Sequence, residues 1–347
     1  MKKSLRFFLL ASVCFLILSG GLFAGGTKEA VADGQWKPTK PITIIVPWGA
    51  GGSTDQISRV TAGELEQYLG QRIVIVNQPG ASGSVGSKNA LDAVKDGYTW
   101  TAGAAADLAT YQVQGMLDTN LQKDWDIFLT VANISIIGVN ANAPYKTFDD
   151  LLADFKSKPG QVGVATAGQS SAGHISIELI RSYTGIEYKH VTYDGGNPAV
   201  TAVVAGEVMV TPQLAVEQVD MIRGGKIRPL AVLADTDLTL KGYTGGAIPS
   251  IKKWIPNFKT GLNYFGIFIP KGVPTEVSAT LEKIWNEKIV NSQKIKDYAD
   301  DRAAIFGPVA GEAAQKAAFA YYQPVAWLYF NAGKAKISPD TVGIPKP

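Results

Sequence analysis

The stretch that most constrains this chain is residues 41–55, Pro-Ile-Thr-Ile-Ile-Val-Pro-Trp-Gly-Ala-Gly-Gly-Ser-Thr-Asp. Its first half, 42–46, is a short apolar, β-branched run between two prolines, which predicts a buried strand. Its second half is a glycine-rich turn, and a helix follows at once. Ser53 is a favourable N-cap and Gln56, three residues later, completes a capping-box pattern. Ile57, Val60, Thr61, Leu65 and Leu69 then share one helical face, and Gly70 supplies the stop. A strand, a tight turn and a helix N-terminus bring free N–H groups and the positive end of a helix dipole to one place. An anion can be held there without a basic side chain. Glycine-rich strand-to-helix turns also occur with no ligand, so the pattern alone leaves both readings open. The nucleotide-binding versions do not fit, because no Lys-Ser/Thr follows the glycines and the Gly-x-Gly-x-x-Gly spacing is absent.

The same alternation continues along the chain. A strand at 73–76 leads into Asn77-Gln78-Pro79-Gly80-Ala81-Ser82-Gly83-Ser84-Val85-Gly86 and a helix to about 94. Asp96-Gly97 is a turn, 98–101 a third strand, and a helix follows around 108–117. Strands alternating with helices predict a parallel, doubly wound sheet, in which ligands sit beyond the carboxyl ends of strands. Both glycine loops lie there. The β-like run 125–140 is too long for one ordinary strand and reads as two strands or a crossing between domains. Thr147 with Asp150 caps a further helix. The pattern then repeats: strand 162–165 before Thr166-Ala167-Gly168-Gln169-Ser170-Ser171-Ala172-Gly173-His174, and strand 188–192 before Tyr193-Asp194-Gly195-Gly196-Asn197. Asn197 as N-cap with Pro198 at the first helical position starts the next helix. Two similar α/β halves, each presenting glycine- and serine-rich turns, predict two lobes facing each other across a cleft. The expected division is 38–137 plus 240–347 for one lobe and 138–239 for the other.

The N-terminus has its own logic. Lys2, Lys3 and Arg6 precede an apolar run over 7–18, and Ala24 offers a small residue for cleavage, so 1–24 reads as a secretory signal peptide followed by a flexible leader at 25–37; the other reading is an uncleaved membrane anchor, for which the run is short. The only cysteine, Cys14, falls inside the apolar run, so the exported chain carries none and needs no disulfide. Charge changes too. Of 33 basic residues, three leave with the signal, and the remaining 30 match the 30 acidic ones. The basic character belongs to the signal, and nothing argues for nucleic acid.

The turns carry more than their physics. Pro-Trp-Gly-Ala-Gly-Gly-Ser-Thr-Asp at 47–55 resembles the opening signature of the substrate-binding proteins of tripartite tricarboxylate transporters, the Bug family. The likeness continues through Leu69-Gly70-Gln71, 77–83, Asp96-Gly97-Tyr98-Thr99, His190-Val191-Thr192-Tyr193-Asp194-Gly195-Gly196, 225–232 and 265–270. The resemblance implies a periplasmic, two-lobed clamshell of the type II binding-protein kind. Such a protein captures a small organic carboxylate and delivers it to integral-membrane permease subunits. It acts as a monomer, without cofactor or metal. It also implies that one ligand carboxylate rests largely on backbone groups and waters of the first turn, here Trp48, Gly49, Ala50, Gly51, Gly52, Ser53 and Thr54. Contacts from the other side would come from Ser170, Ser171, His174, Gly195, Gly196 and Asn197. Ser82, Gly83 and Tyr193 lie on the neighbouring turns and join the candidate set. One departure stands out: the family's usual Val-Pro-Tyr-Lys reads Val191-Thr192-Tyr193-Asp194. Asp194 either faces the cleft, where it disfavours a multiply charged ligand, or faces solvent.

Catalytic readings are poor. The two histidines are His174 and His190, and no turn has the glycine spacing of a nucleophile elbow. Two histidines without a carboxylate-cysteine cluster make a poor transition-metal site. His174 is read either as a ligand donor or as part of its helix's cap. Asp55 is read as a first-turn acid paired with Arg59, and Trp48 as cleft lining. A carboxylate sensor that passes its liganded form to a membrane receptor would need the same fold, and sequence does not separate it from a transport protein.

Overall fold

The computed structural model describes residues 34–347, so the expected signal segment, Cys14 and most of the expected leader lie outside the described residues. Of that leader, Trp36 is docked rather than free. Its N–H donates to Thr280 Oγ1 at 2.7 Å, and its ring packs edge-on against Tyr98 with centroids 5.4 Å apart.

The first sheet begins with β1 (Ile42–Val46), α1 (Ser53–Leu69), β2 (Ile73–Asn77), α2 (Ser84–Leu91), β3 (Thr99–Ala104), α3 (Ala105–Gln114), α4 (Leu121–Asp124) and β4 (Trp125–Asn133). The chain then crosses into a second sheet made of β5 (Ile136–Asn140), α5 (Phe148–Ser157), β6 (Gly163–Thr166), α6 (Ala172–Thr184), β7 (Lys189–Thr192), α7 (Gly196–Ala205), β8 (Val210–Thr211), α8 (Ala215–Arg223) and β9 (Ile227–Val232). The run 125–140 is therefore two strands and a crossing. After an irregular stretch the chain returns with β10 (Asn263–Pro270), α9 (Thr275–Glu287), α10 (Gln293–Arg302), β11 (Ile305–Ala310) and α11 (Gly311–Asn331). Among the described residues no helix is long and apolar enough to cross a membrane.

The six-stranded order is β11-β4-β10-β3-β1-β2 and the five-stranded order β7-β6-β8-β5-β9. Only part of each sheet is parallel. β1 runs parallel to β2 and β3, and β6 parallel to β7 and β8, as helical crossovers require. β10 lies antiparallel between β3 and β4, and β5 antiparallel between β8 and β9. Those strands enter from the other sheet, so no right-handed crossover constrains their direction. The expected parallel, doubly wound arrangement holds around β1 and β6, and antiparallel strands complete each sheet.

The first strand is buried along almost its whole length, as a central strand covered on both faces must be. The large aromatics of the core keep their polar ends bonded. Trp100, Trp125 and Trp285 donate their indole N–H to Gly97 O, Thr119 Oγ1 and Leu129 O at 2.8, 2.8 and 2.6 Å. Capping follows the sequence in places. Gly70 closes α1 in the left-handed region, and Thr147 and Asp150 form a full capping box on α5. Elsewhere the cap moves. Gly52, not Ser53, is the N-cap of α1, and Asp55 Oδ2 accepts the Gly51 N–H at 2.9 Å. Likewise α7 starts at Gly196 with Gly195 before it, so Asn197 and Pro198 are its second and third residues. Proline costs nothing there, because that amide has no intrahelical acceptor.

Candidate functional site

In the first sheet β1 has β2 on one side and β3 on the other, and in the second β6 is flanked in the same way by β7 and β8. The order of winding reverses between β1 and β3 and between β6 and β8. At such a reversal adjacent loops diverge and leave a crevice at the carboxyl ends. Here the two crevices face each other. A cavity between them is lined by Trp48, Gly52, Ser53 and Thr54 after β1, Asp107 after β3, and Phe265 of β10. The opposite wall is Ala167, Ser171 and Ala172 after β6, Gln213, Leu214 and Glu217 after β8, and Gly196. The lobes are closely apposed, and the cavity holds about 20 Å³, room for about one water. A larger guest requires the lobes to part.

Of the residues singled out in the sequence, Trp48, Gly52, Ser53, Thr54, Ser171 and Gly196 meet around this cavity. Trp48 is both lining and core, at 6% exposure. Gly49 and Gly195 form the seam beside it, where the Gly49 N–H donates to Asp194 O at 2.9 Å. Gly51, at φ +79°, faces the Asn197 side chain, and Ala50 is exposed. Ser82 and Gly83 belong to a second seam. Ser82 Oγ accepts the Gln169 N–H at 2.9 Å, and Ser170 Oγ donates to Ser82 O at 2.8 Å. A Cβ on Gly83 would stand 2.5 Å from the Tyr111 hydroxyl and 3.0 Å from the Trp48 ring, so this close approach needs glycine. Tyr193 reaches Glu207 Oε2 at 3.5 Å, and Asp194 is exposed, which resolves its alternatives toward solvent.

His174 does not line the cavity. Its backbone N–H donates to the capping Ser171 Oγ at 3.4 Å. Its ring sits in a separate open depression of about 500 Å³, with Gln169, His190 and Lys334. His174 Nδ1 lies 2.5 Å from Gln169 O and Nε2 3.2 Å from Lys334 Nζ, so the neutral ring carries its proton on Nδ1. With both nitrogens occupied, it is not placed to take a proton from a serine. The His190 ring stacks on it with centroids 4.3 Å apart. Burial, the neighbouring imidazole and Lys334 push His174 down to about 3, and burial and Lys334 push His190 down to about 4.

The electrostatics of the inter-lobe cavity are not legible in the turn motifs. Its lining contains no lysine or arginine and two acids, Asp107 and Glu217. Glu217 is satisfied: Oε1 accepts the Ser53 N–H across the lobes at 3.1 Å, and Oε2 accepts the Leu214 N–H at 3.3 Å. Burial nonetheless raises its carboxyl, with Ser53 and the Leu214 amide offsetting part of the effect. Asp107 is 4% exposed, and its Oδ1 has no hydrogen-bond partner. Burial first, then the charge of Glu217, hold its carboxyl well above the usual range, and the Trp48 indole offsets only part. Asp55 differs. Burial opposes ionisation, but Arg59, the Gly51 N–H and Asn77 outweigh it and lower the carboxyl. Arg59 Nη2 is 2.8 Å from Asp55 Oδ1, so the cation nearest the first turn is already engaged.

Three comparisons bear on this geometry. The tripartite tricarboxylate transporter family receptor pattern matches residues 57–324. Protein BugT of Bordetella pertussis is 28% identical over 295 residues, which cover 84% of this chain and 87% of that protein. Among solved structures, one described as a periplasmic transporter superposes with a TM-score of 0.77 at 26% identity, over 85% of this chain and 98% of its own. An R. palustris protein determined with adipate gives 0.75 at 25%, with the same coverage.

Proposed function

The chain belongs to the tripartite tricarboxylate transporter receptor family, and from that premise we propose that it captures a small organic carboxylate between its lobes in the periplasm and hands it to integral-membrane permease subunits. The observation that carries the capture is the start of α1 in the wall of the cavity. The first amides of a helix have no intrahelical acceptor, and the dipole favours negative charge beside them. That place already holds a carboxylate in the closed form, since Glu217 accepts the Ser53 N–H from the opposite lobe. A ligand carboxylate can take the same kind of contact once the lobes part, and closure then covers it. The adipate-bound relative supports the ligand class. Hinge closure around ligand is the usual response of two-lobed binders.

Two substitutions together isolate the N–H. Ser53 is the first residue of α1, where proline is well tolerated, and the residue before it has φ −72° and ψ 172°, the extended form that proline demands. Ser53→Pro therefore deletes one amide donor together with the Ser53 hydroxyl and keeps the helix, and Ser53→Ala, which loses the hydroxyl alone, is its control. A hydrogen bond to a charged group contributes about 1.5–3 kcal/mol, so affinity for a bound carboxylate should fall about tenfold or more. Calorimetric titration over a carboxylate panel that includes adipate, with circular dichroism as folding control, measures it. Unchanged affinity in a folded Ser53→Pro protein removes the first turn from the binding site.

A further inference from the structure

We infer that Asp107 is the docking group for an ammonium on the ligand, so that this cavity selects a carboxylate that also carries a positive charge over a plain di- or tricarboxylate. The inference rests on the carboxylate reading above and specifies the other end of the same ligand.

Three observations carry it. Asp107 is 4% exposed, yet one carboxyl oxygen has no partner and the side chain lines the cavity. Buried polar atoms are almost always bonded, and an orphaned oxygen at a cavity wall is positioned to accept from a guest. The second observation is the charge of the lining, which holds two acids and no base. A dicarboxylate closed into such a cavity would bring two negative charges beside two buried acids and no base, in surroundings with little water to screen them. An ammonium reverses the sign of that interaction. It also brings three donors to an acid that lacks a donor. The third observation is the division of labour between the acids. Both oxygens of Glu217 are taken, by the Ser53 and Leu214 amides. Asp107 has a free oxygen, and only its oxygen asks for a ligand donor. The upward displacement of its carboxyl agrees with a charge that has no counter-ion.

The positions make a zwitterion coherent. Ser53 starts the helix after β1, and Asp107 lies in the first turn of the helix after β3. These strands are neighbours in the sheet, so the two contacts stand side by side at one crevice. The carboxylate end meets amides and the ammonium end meets Asp107. Trp48, whose indole neighbours Asp107, lies in the same wall.

Matched probes test it by calorimetry on the wild-type protein: L-alanine against propionate, 4-aminobutyrate against butyrate, L-glutamate against glutarate, and adipate alone. The expected result is that at least one ammonium-bearing acid binds tenfold or more tightly than its ammonium-free partner and more tightly than adipate. In Asp107→Asn that ratio should collapse toward one. If glutarate or adipate binds best, the ammonium inference is overturned and the carboxylate reading stands. If no acid of either kind binds, both fall. A folded Asp107→Asn protein that keeps the full ratio overturns the role of Asp107. If that variant does not fold, the wild-type ranking alone decides.

Discussion

Glu178 on α6 and Asp107 on α3 are both carboxylic acids removed from solvent, at 1% side-chain and 4% residue exposure, yet burial acts on them with opposite results. Glu178 Oε1 accepts from Lys334 Nζ at 2.8 Å and from the Tyr188 hydroxyl at 2.5 Å, and Arg181 lies 3.6 Å from Oε2. Burial alone would raise it, but Lys334 and Tyr188 outweigh that and hold it below its ordinary 4.5. Asp107 has no such neighbour and goes up. The contrast separates a buried acid that the fold completes from one that it leaves incomplete. Glu178 joins the second sheet's helix to the segment after α11 and belongs to the architecture. Asp107 is unfinished, and it opens onto the cavity.

The sharpest way to break this comparison is to remove the cation. Lys334→Met leaves Glu178 buried without its main partner, and losing one partner of a buried pair costs about 3 kcal/mol, the low end because Arg181 remains close. Chemical denaturation at neutral pH should show that loss. A loss below about 0.5 kcal/mol would mean that the pair does not hold the lobes together. The sign with pH follows from the lowered carboxyl: the Glu178 contribution is complete above 4.5 and disappears as pH falls through its folded value.

Acid should also act through the histidines beside this pair. In the folded protein His174 and His190 titrate at about 3 and about 4, against 6.5 when free. Between pH 6.5 and about 4 the unfolded chain therefore binds protons that the folded one does not. Stability should fall in that window by up to about 1.4 kcal/mol per pH unit for each histidine. His190→Phe should flatten the slope by roughly one proton's worth. An unchanged slope would place the acid sensitivity elsewhere.

At the other acid the expected effect on stability is small and of opposite sign. Asp107→Asn matches the carboxyl in shape and removes an unpaired charge. Stability at pH 7 should be equal to the parent or higher by about 1 kcal/mol. The raised carboxyl means the difference must vanish below 3.8, where the aspartate is neutral in both states. A clear loss at pH 7 would show that Asp107 is structural and erase the contrast with Glu178. Smallest of all is Asp194→Asn. Only its carbonyl meets Gly49 and its side chain is exposed, so ligand affinity should stay within about twofold.

Much of this arrangement is local and was readable in order along the chain. The β-branched run 42–46, the glycines after it and Gly70 determine one strand, one turn and one helix, because burial, φ > 0 and helix stops are properties of a few neighbouring residues. The same holds for the Thr147–Asp150 cap and for the turn after β6 that supplies Ser171. Caps were misplaced by one or two residues at Ser53 and Asn197, where glycine amides and the Asp55 side chain took over a role that the pattern gave to the side chain of Ser53 or Asn197. Asp107, Leu214 and Glu217 carry no glycine signature, and Gln213 stands in a turn after a strand without one, so no local pattern marks these four as site residues. Strand order alone brings them to the cavity: β3 and β8, not β2 and β7, lie across the reversal from β1 and β6. That order is set by pairing between residues far apart in sequence, such as Thr43 with Thr99 and Val164 with Val210. Sequence thus determined that glycine turns would stand at the carboxyl ends of strands. Only the tertiary pairing decided which turns share a crevice, and hence that two acids, and no base, line it.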